Sequence, residues 1–151
     1  MSELEPFRYV LRVRYGECDQ QGVVYNPRYG EYVDLACTEF MRSALAPADI
    51  FGGTYEVQVV KLLIEWTGPA RFDDVLEISV TTKSLGNTSF VLAFELCRRG
   101  ETKPLATAET VNVYIEPKTW TKAPLPEAFR TRLTHGARGQ LVDQSGTANA
   151  R

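Results

Sequence analysis

The sequence predicts an α+β fold in which an antiparallel sheet of about five strands wraps one long helix. Three observations carry that expectation. Residues 7 to 15 alternate apolar and polar side chains with period two, a single long amphipathic stretch follows Asn26, and the periodic segments after it alternate as strands. A doubly wound fold needs helices between its strands, and the order here is strand, long helix, then four strands.

In the first strand Phe7, Tyr9, Leu11, Val13 and Tyr15 share one face, and Arg8, Arg12 and Arg14 take the other. Gly16 and Gly22 then break the period, because glycine admits turn geometry at little steric cost. Asn26 followed by Pro27 reads as an N-cap and first helical position. Tyr29, Tyr32, Val33, Ala36, Cys37, Phe40, Met41 and Ala44 recur at helical spacing over about five turns, ending before Pro47.

Past Gly52 and Gly53 the pattern is β. Tyr55, Val57 and Val59 alternate on odd positions, whereas Val60, Leu62, Ile64 and Trp66 alternate on even ones, so the phase change at Val59–Val60 predicts a bulge in a long strand. Leu76, Ile78 and Val80 form the next apolar face, and Gly86-Asn87 reads as the hairpin turn leading to Phe90, Leu92, Phe94 and Leu96. Leu105 to Ile115 is the last long strand, with Val111, Val113 and Ile115 on one side, and Glu127 to Leu133 reads as a short helical turn. The expected domain covers residues 1–135; residues 136–151, rich in Gly, Ala, Gln, Ser and Thr, read as a disordered tail. A sheet around one helix leaves edges and an outer face, which points to a homodimer or a dimer of dimers.

Composition narrows the function classes. A chain of 151 residues with 44% hydrophobic and 24% charged residues is an ordinary soluble domain. A net charge of -2 gives no global field to recruit nucleic acid, so an anionic substrate would have to meet a local basic patch. No apolar run approaches the ~18 residues of a membrane span, and the acidic N-terminus is no secretory signal. Cys18, Cys37 and Cys97 are odd in number and widely spaced, which fits a reducing cytoplasm rather than a disulfide framework. No CxxC or HxxxH pairing is present, so neither a metal site nor a cofactor is expected. The single histidine, His135, precedes a polar tail and is a poor candidate for a Ser-His-Asp or Cys-His site.

The most informative segment joins the first strand to the helix. Asp19 lies three residues before Gly22 and seven before Asn26. Backbone N–H groups at a helix start are unsatisfied and carry partial positive charge, so they can polarise a thioester carbonyl. A nearby carboxylate can attack that carbonyl or activate a water. By itself, an Asp in a glycine-bearing loop is ordinarily a turn former or a cap.

The segment Tyr15-Gly16-Glu17-Cys18-Asp19-Gln20-Gln21-Gly22-Val23-Val24-Tyr25-Asn26-Pro27-Arg28-Tyr29 resembles the signature of the 4-hydroxybenzoyl-CoA thioesterase family, which includes the short acyl-CoA thioesterases associated with the Tol-Pal system. The resemblance continues through Gly68-Pro69-Ala70-Arg71-Phe72-Asp73-Asp74-Val75-Leu76 and Ala108-Glu109-Thr110, covering about residues 7 to 126. It implies a hot-dog fold, a dimer or tetramer with active sites at the dimer interface, Asp19 as the catalytic carboxylate, and the Asn26 backbone N–H facing the thioester oxygen. Some relatives carry histidine at the position of Asn26, so a histidine-assisted route is absent here.

The same resemblance puts Asp34 where the benzoyl enzyme has an acidic residue near its substrate ring, although a solvated helix face is its ordinary role. Tyr15 and Tyr25 flank the loop and are candidates to line an acyl pocket, or else to sit in the core. Gly22 and, in the turn before the fourth strand, Thr88 and Ser89 complete the expected substrate contacts. The benzoyl enzyme is basic at that turn, whereas this chain offers Gly86, Asn87 and Thr88; Lys83, Arg98, Arg99, Lys118 and Lys122 are the residues able to compensate. Cys18 has no histidine partner and is expected to be inert. The function implied is hydrolysis of an acyl or aroyl thioester of CoA. The alternatives are a thioesterase acting on acyl chains bound to a carrier protein and a non-catalytic acyl-CoA-binding protein; a hydratase would want a histidine in the loop or helix.

Overall fold

The computed structural model describes residues 4–48, 50 and 52–146. Its core is a hot-dog arrangement. One sheet runs in the order β2-β5-β4-β3-β1-β7 and curves around helix α1 (Arg28–Ala44), with the short β6 beside β5. The long strands are β1 (Phe7–Arg12), β2 (Glu56–Trp66), β3 (Val75–Leu85), β4 (Ser89–Arg98) and β5 (Ala106–Glu116); β6 is Thr121–Lys122 and β7 is Leu141–Asp143. A second helix, α2 (Glu127–His135), covers one end of the core through Phe129 and Leu133. Among the described residues no helix is long and apolar enough to cross a membrane.

Helix α1 forms where its periodicity places it. Tyr29, Tyr32, Val33, Ala36, Phe40, Met41 and Ala44 are all buried, and they meet Phe7, Tyr9 and Leu11 of β1 and Leu76, Ile78 and Val80 of β3 in one cluster. Its start differs from the expected one. Pro27 stands in the N-cap position with helical backbone, and the Asn26 side chain caps nothing. The first bonds are of the tighter kind, with Arg28 N–H donating to Tyr25 O, and Tyr29 N–H to Asn26 O.

The bulge expected in β2 is present: its register with β5 slips between Val59 and Lys61. Strand β5 turns the other way from the one its valines suggest. Ala106, Ala108, Thr110, Asn112 and Tyr114 point into the core, while Val111 and Val113 are half-buried on the outer face. Tyr15 also departs from its expected place. The strand ends at Arg12, a 3-10 turn begins at Tyr15, and its ring is 81% exposed.

Of residues 136–151, expected to be a disordered tail, the described part 136–146 carries strand β7. Leu141–Asp143 pairs in parallel with Arg8–Val10, and the Tyr9 hydroxyl donates to Gln144 Oε1 at 2.5 Å. The free edge of β1 supplies the backbone partners that a polar composition does not reveal. Residues 147–151 lie outside the described residues.

Candidate active site

The loop carrying Asp19 is held from beneath by a buried carboxylate. Glu17 is 5% exposed and accepts hydrogen bonds from the Arg14 N–H at 2.8 Å, the Arg14 guanidinium at 2.9 Å and the Tyr32 hydroxyl at 2.9 Å. Burial alone works against its charge, but the Arg14 and Tyr32 bonds outweigh that cost and hold the carboxyl below its usual range. The Glu17 carbonyl in turn accepts from the Tyr25 N–H at 2.9 Å, closing the loop on itself.

Asp19 sits at the apex. Its N–H donates to Val23 O and its carbonyl accepts from Gly22 N–H, each at 2.9 Å, while its Oδ1 accepts from the Gln21 N–H at 2.8 Å. Gly22 provides the left-handed backbone (φ +77°) that the turn requires. Oδ2 has no hydrogen-bond partner among the described residues. The side chain opens into a shallow cleft of about 810 Å³ bordered by Tyr15, Gly22, Tyr25, Arg28 and Phe72. The Tyr15 and Phe72 rings meet edge to face at 5.8 Å.

Asn26 borders a different cleft, of about 220 Å³, with Tyr29, Trp66, Gly68 and Pro69. Its backbone N–H has no acceptor among the described residues, as befits a group at a helix start. Tyr29 braces this side: its hydroxyl accepts from the Ala70 N–H at 3.0 Å, and its ring stands edge-on to Trp66 at 5.7 Å. Asp34 faces a third space, a cavity of about 180 Å³ between α1 and the β2–β5–β4 side of the sheet.

The expected site residues therefore fall into separate groups within one protomer. Asp19, Tyr15, Gly22 and Tyr25 share a cleft, Asn26 stands at the neighbouring one, and Asp34 borders the α1 cavity. Thr88 and Ser89 lie at the β3–β4 turn, where Thr88 O accepts from the Tyr114 N–H at 2.9 Å, and they border none of these spaces. Phe72, Arg28 and Trp66 border the clefts without having been singled out from sequence. Phe72 carried a usable signal, an aromatic side chain beside three polar neighbours (Arg71, Asp73 and Asp74) in the turn before β3.

No histidine borders any of these spaces, and His135 lies in the last turn of α2. Burial, reinforced by Glu17 and Asp19, raises the Cys18 thiol. Burial, with Asp34 adding to it, pushes the Cys37 thiol up to about 12. Neither is set up as a thiolate nucleophile. Among the described residues no three His, Cys, Asp or Glu side chains gather as metal ligands.

Residues 13–133 match the model of the thioesterase-like superfamily. The chain is 31% identical over 124 residues to the Escherichia coli O6:H1 acyl-CoA thioester hydrolase YbgC, covering 82% of this chain and 92% of that protein. It is 30% identical over 134 residues to the 1,4-dihydroxy-2-naphthoyl-CoA hydrolase of Synechococcus elongatus, covering 84% and 94%. In fold it is similar to the crystal structure of the Pseudomonas aeruginosa PAO1 protein PA5185, with a TM-score of 0.79 at 22% identity over 88% of this chain and 92% of that one.

Proposed function

The chain belongs to the thioesterase-like superfamily and is a thioester hydrolase, and on that premise we propose that it cleaves an acyl or aroyl thioester of CoA with Asp19 as the catalytic carboxylate. One observation carries this reading. At the start of α1 the Asn26 N–H lacks an acceptor, and seven residues earlier Asp19 keeps Oδ2 outside the turn that fixes Oδ1. The thioester oxygen is received by that N–H and the positive end of α1. Asp19 either adds to the carbonyl carbon, giving a mixed anhydride that water opens, or takes a proton from the attacking water. On either route the C–S bond breaks, the thiol leaves with a proton, and the acid is released.

We assign the complete site to a dimer. Strand β2 is eleven residues long, ends the sheet, and exposes Val59, Val60, Leu62, Leu63 and Trp66. A long apolar edge of this kind pairs readily with a second strand. Trp66 also borders the Asn26 cleft, so a second copy seated along β2 covers the place where the carbonyl is received. The opposite edge, β7, is three residues long and offers little to pair with. With no disulfide among the three cysteines, we place the reaction in the reducing cytosol.

A carrier-borne acyl chain is the second reading, favoured by how the basic residues are spent. Lys83 pairs with Glu109, Arg98 with Asp74, and Arg99 with Asp143, so these cations are already engaged rather than offered to a nucleotide. A thiol-release screen over short, long and aromatic acyl-CoAs, run beside matching acyl-carrier thioesters, decides between them. Turnover of CoA esters at rates equal to or above those of carrier esters supports the leading reading. Faster carrier cleavage supports the second, and release from neither overturns both.

A further inference from the structure

Phe72 stands in a turn that is anchored more firmly than an exposed turn requires. It is a central residue of Arg71–Asp74, closed by the Asp74 N–H donating to Arg71 O at 3.1 Å. The other central residue, Asp73, takes left-handed backbone (φ +68°), which is uncommon outside glycine and persists where the surroundings impose it. Two bonds impose it here. The Asp73 N–H donates to Val13 O at 3.1 Å, and its Oδ1 accepts from Arg12 Nη1 at 2.8 Å. Arg12 is itself oriented, because its Nε donates to Ser145 O at 3.1 Å. An isolated exposed ion pair contributes little, but a guanidinium already fixed by a second bond loses less freedom in forming it. The other shoulder is held as well: Asp74 Oδ2 accepts from the Arg71 N–H at 2.8 Å and from Arg98 Nε at 2.9 Å.

What this turn presents is an aromatic ring that takes no part in the core. Phe72 is 55% exposed, meets Tyr15 edge to face at 5.8 Å, and walls the cleft of Asp19. With Tyr25 it makes three large exposed rings around one carboxylate, a concentration that points to a ligand rather than to folding. Phe72 precedes β3 and Tyr15 follows β1, and those strands stand three and four places from β2 along the sheet. The cleft is therefore set apart from the edge assigned to a second copy.

A thioester carries an acyl group and a thiol arm on its carbonyl carbon. In CoA and in carrier proteins that arm is the same pantetheine, an extended chain of short methylene runs and amides that leads out to solvent. An acyl chain gains most from full removal from water. A shallow, open cleft walled by rings suits the arm instead, because amides and methylenes pack on aromatic surface while keeping contact with water.

We propose that Phe72, backed by Tyr15, binds the pantetheine arm of the thioester beside Asp19, and that Arg12 and Asp73 are positioning residues that hold the ring there. This rests on the reading of Asp19 as the catalytic carboxylate.

The test measures kcat and KM for hexanoyl-pantetheine, benzoyl-pantetheine and S-ethyl thiohexanoate, which lacks the arm. The proteins are the wild type, Phe72→Ala, Arg12→Met, Asp73→Gly and Asp73→Asn, with circular dichroism to confirm folding. Phe72→Ala is expected to raise KM for both pantetheine esters about tenfold with kcat little changed, the signature of a contact made equally before and during reaction. The S-ethyl ester should change less than about twofold. Arg12→Met and Asp73→Gly should raise the same KM about threefold, whereas Asp73→Asn keeps Oδ1 for Arg12, tolerates the left-handed backbone and should restore the wild-type value. Loss of stability alone would not produce this split. Hexanoyl-CoA and a hexanoyl-carrier thioester run alongside show which source of the arm is used, by which of them exceeds hexanoyl-pantetheine in kcat/KM. An unchanged KM in Phe72→Ala, an equal loss on the S-ethyl ester, or a loss confined to one acyl group overturns the arm site. An unchanged KM in both Arg12→Met and Asp73→Gly overturns the clamp. If the wild type cleaves no thioester, the Asp19 reading fails, and calorimetric binding of the thioether S-hexyl-pantetheine decides. Weaker binding in Phe72→Ala then upholds the arm site, and equal binding ends it.

Discussion

The Tyr32 hydroxyl donates to Glu17 Oε1 at 2.9 Å, joining the second turn of α1 to the turn that leads into Asp19. Both residues are buried, Tyr32 at 1% and Glu17 at 5% exposed. Burial, then the Glu17 carboxylate, raise the tyrosine's pKa and keep it a donor. The loop is thereby indexed to the helix whose start is the proposed binding point of the carbonyl.

Tyr32→Phe removes this donor without changing the ring. A hydrogen bond to a charged group contributes about 1.5–3 kcal/mol, which for a domain of this size lowers Tm by roughly 3–10 °C. Thermal unfolding followed by circular dichroism measures it; an unchanged Tm would show that the contact contributes nothing.

Acid stability follows from the same carboxylate. Glu17 titrates below its usual value of 4.5 in the folded chain. Its contribution is therefore fully present above that pH and is lost as pH falls through the depressed folded value. The Tm gap between the wild type and Glu17→Gln is expected to be larger at pH 7 than at pH 3. A gap independent of pH contradicts the ionised, hydrogen-bonded state.

Thiol reactivity gives an independent check on the chemistry. With its thiol near 12, Cys37 is expected to resist iodoacetamide at pH 7 in the native protein and to react after unfolding. Mass spectrometry of the labelled chain reports this, and rapid native labelling of Cys37 or Cys18 would reopen a thiol mechanism.

The sheet edge predicts the assembly. Sedimentation of the wild type should give at least twice the 16.9 kDa of one chain. Val60→Asp, at a bulge residue that is 61% exposed, should shift the protein towards monomer and cut turnover with it. A monomer with full activity would show that the site is complete in one chain.

Much of this was legible in the sequence because period and position coincided. The α1 stripe from Tyr29 to Ala44 and the phase change at Val59–Val60 both became structure as read. Strand β5 was not, because its apolar residues Val111 and Val113 occupy the outer face while Thr110 and Asn112 take the core. Period two gives two faces and no rule for choosing between them when each is partly polar. Strand β7 escaped because three residues added to an existing edge leave no periodic signal. Asp19 was singled out through its loop motif and remains a proposal, whereas the Glu17–Tyr32 contact beneath it joins residues fifteen apart and depends on packing that no local pattern encodes. The separation of Asp19, Asn26 and Asp34 into three spaces was equally beyond local reading.

The most direct measurement is thiol release from the best-cleaved thioester by Asp19→Asn beside the wild type. Asparagine keeps an Oδ1 for the Gln21 N–H, so the turn and the circular dichroism spectrum should survive. Its turnover should fall by about 10²–10⁴-fold. Unchanged kcat in a folded Asp19→Asn protein, on every thioester the wild type cleaves, would contradict the assignment of Asp19 as the catalytic carboxylate.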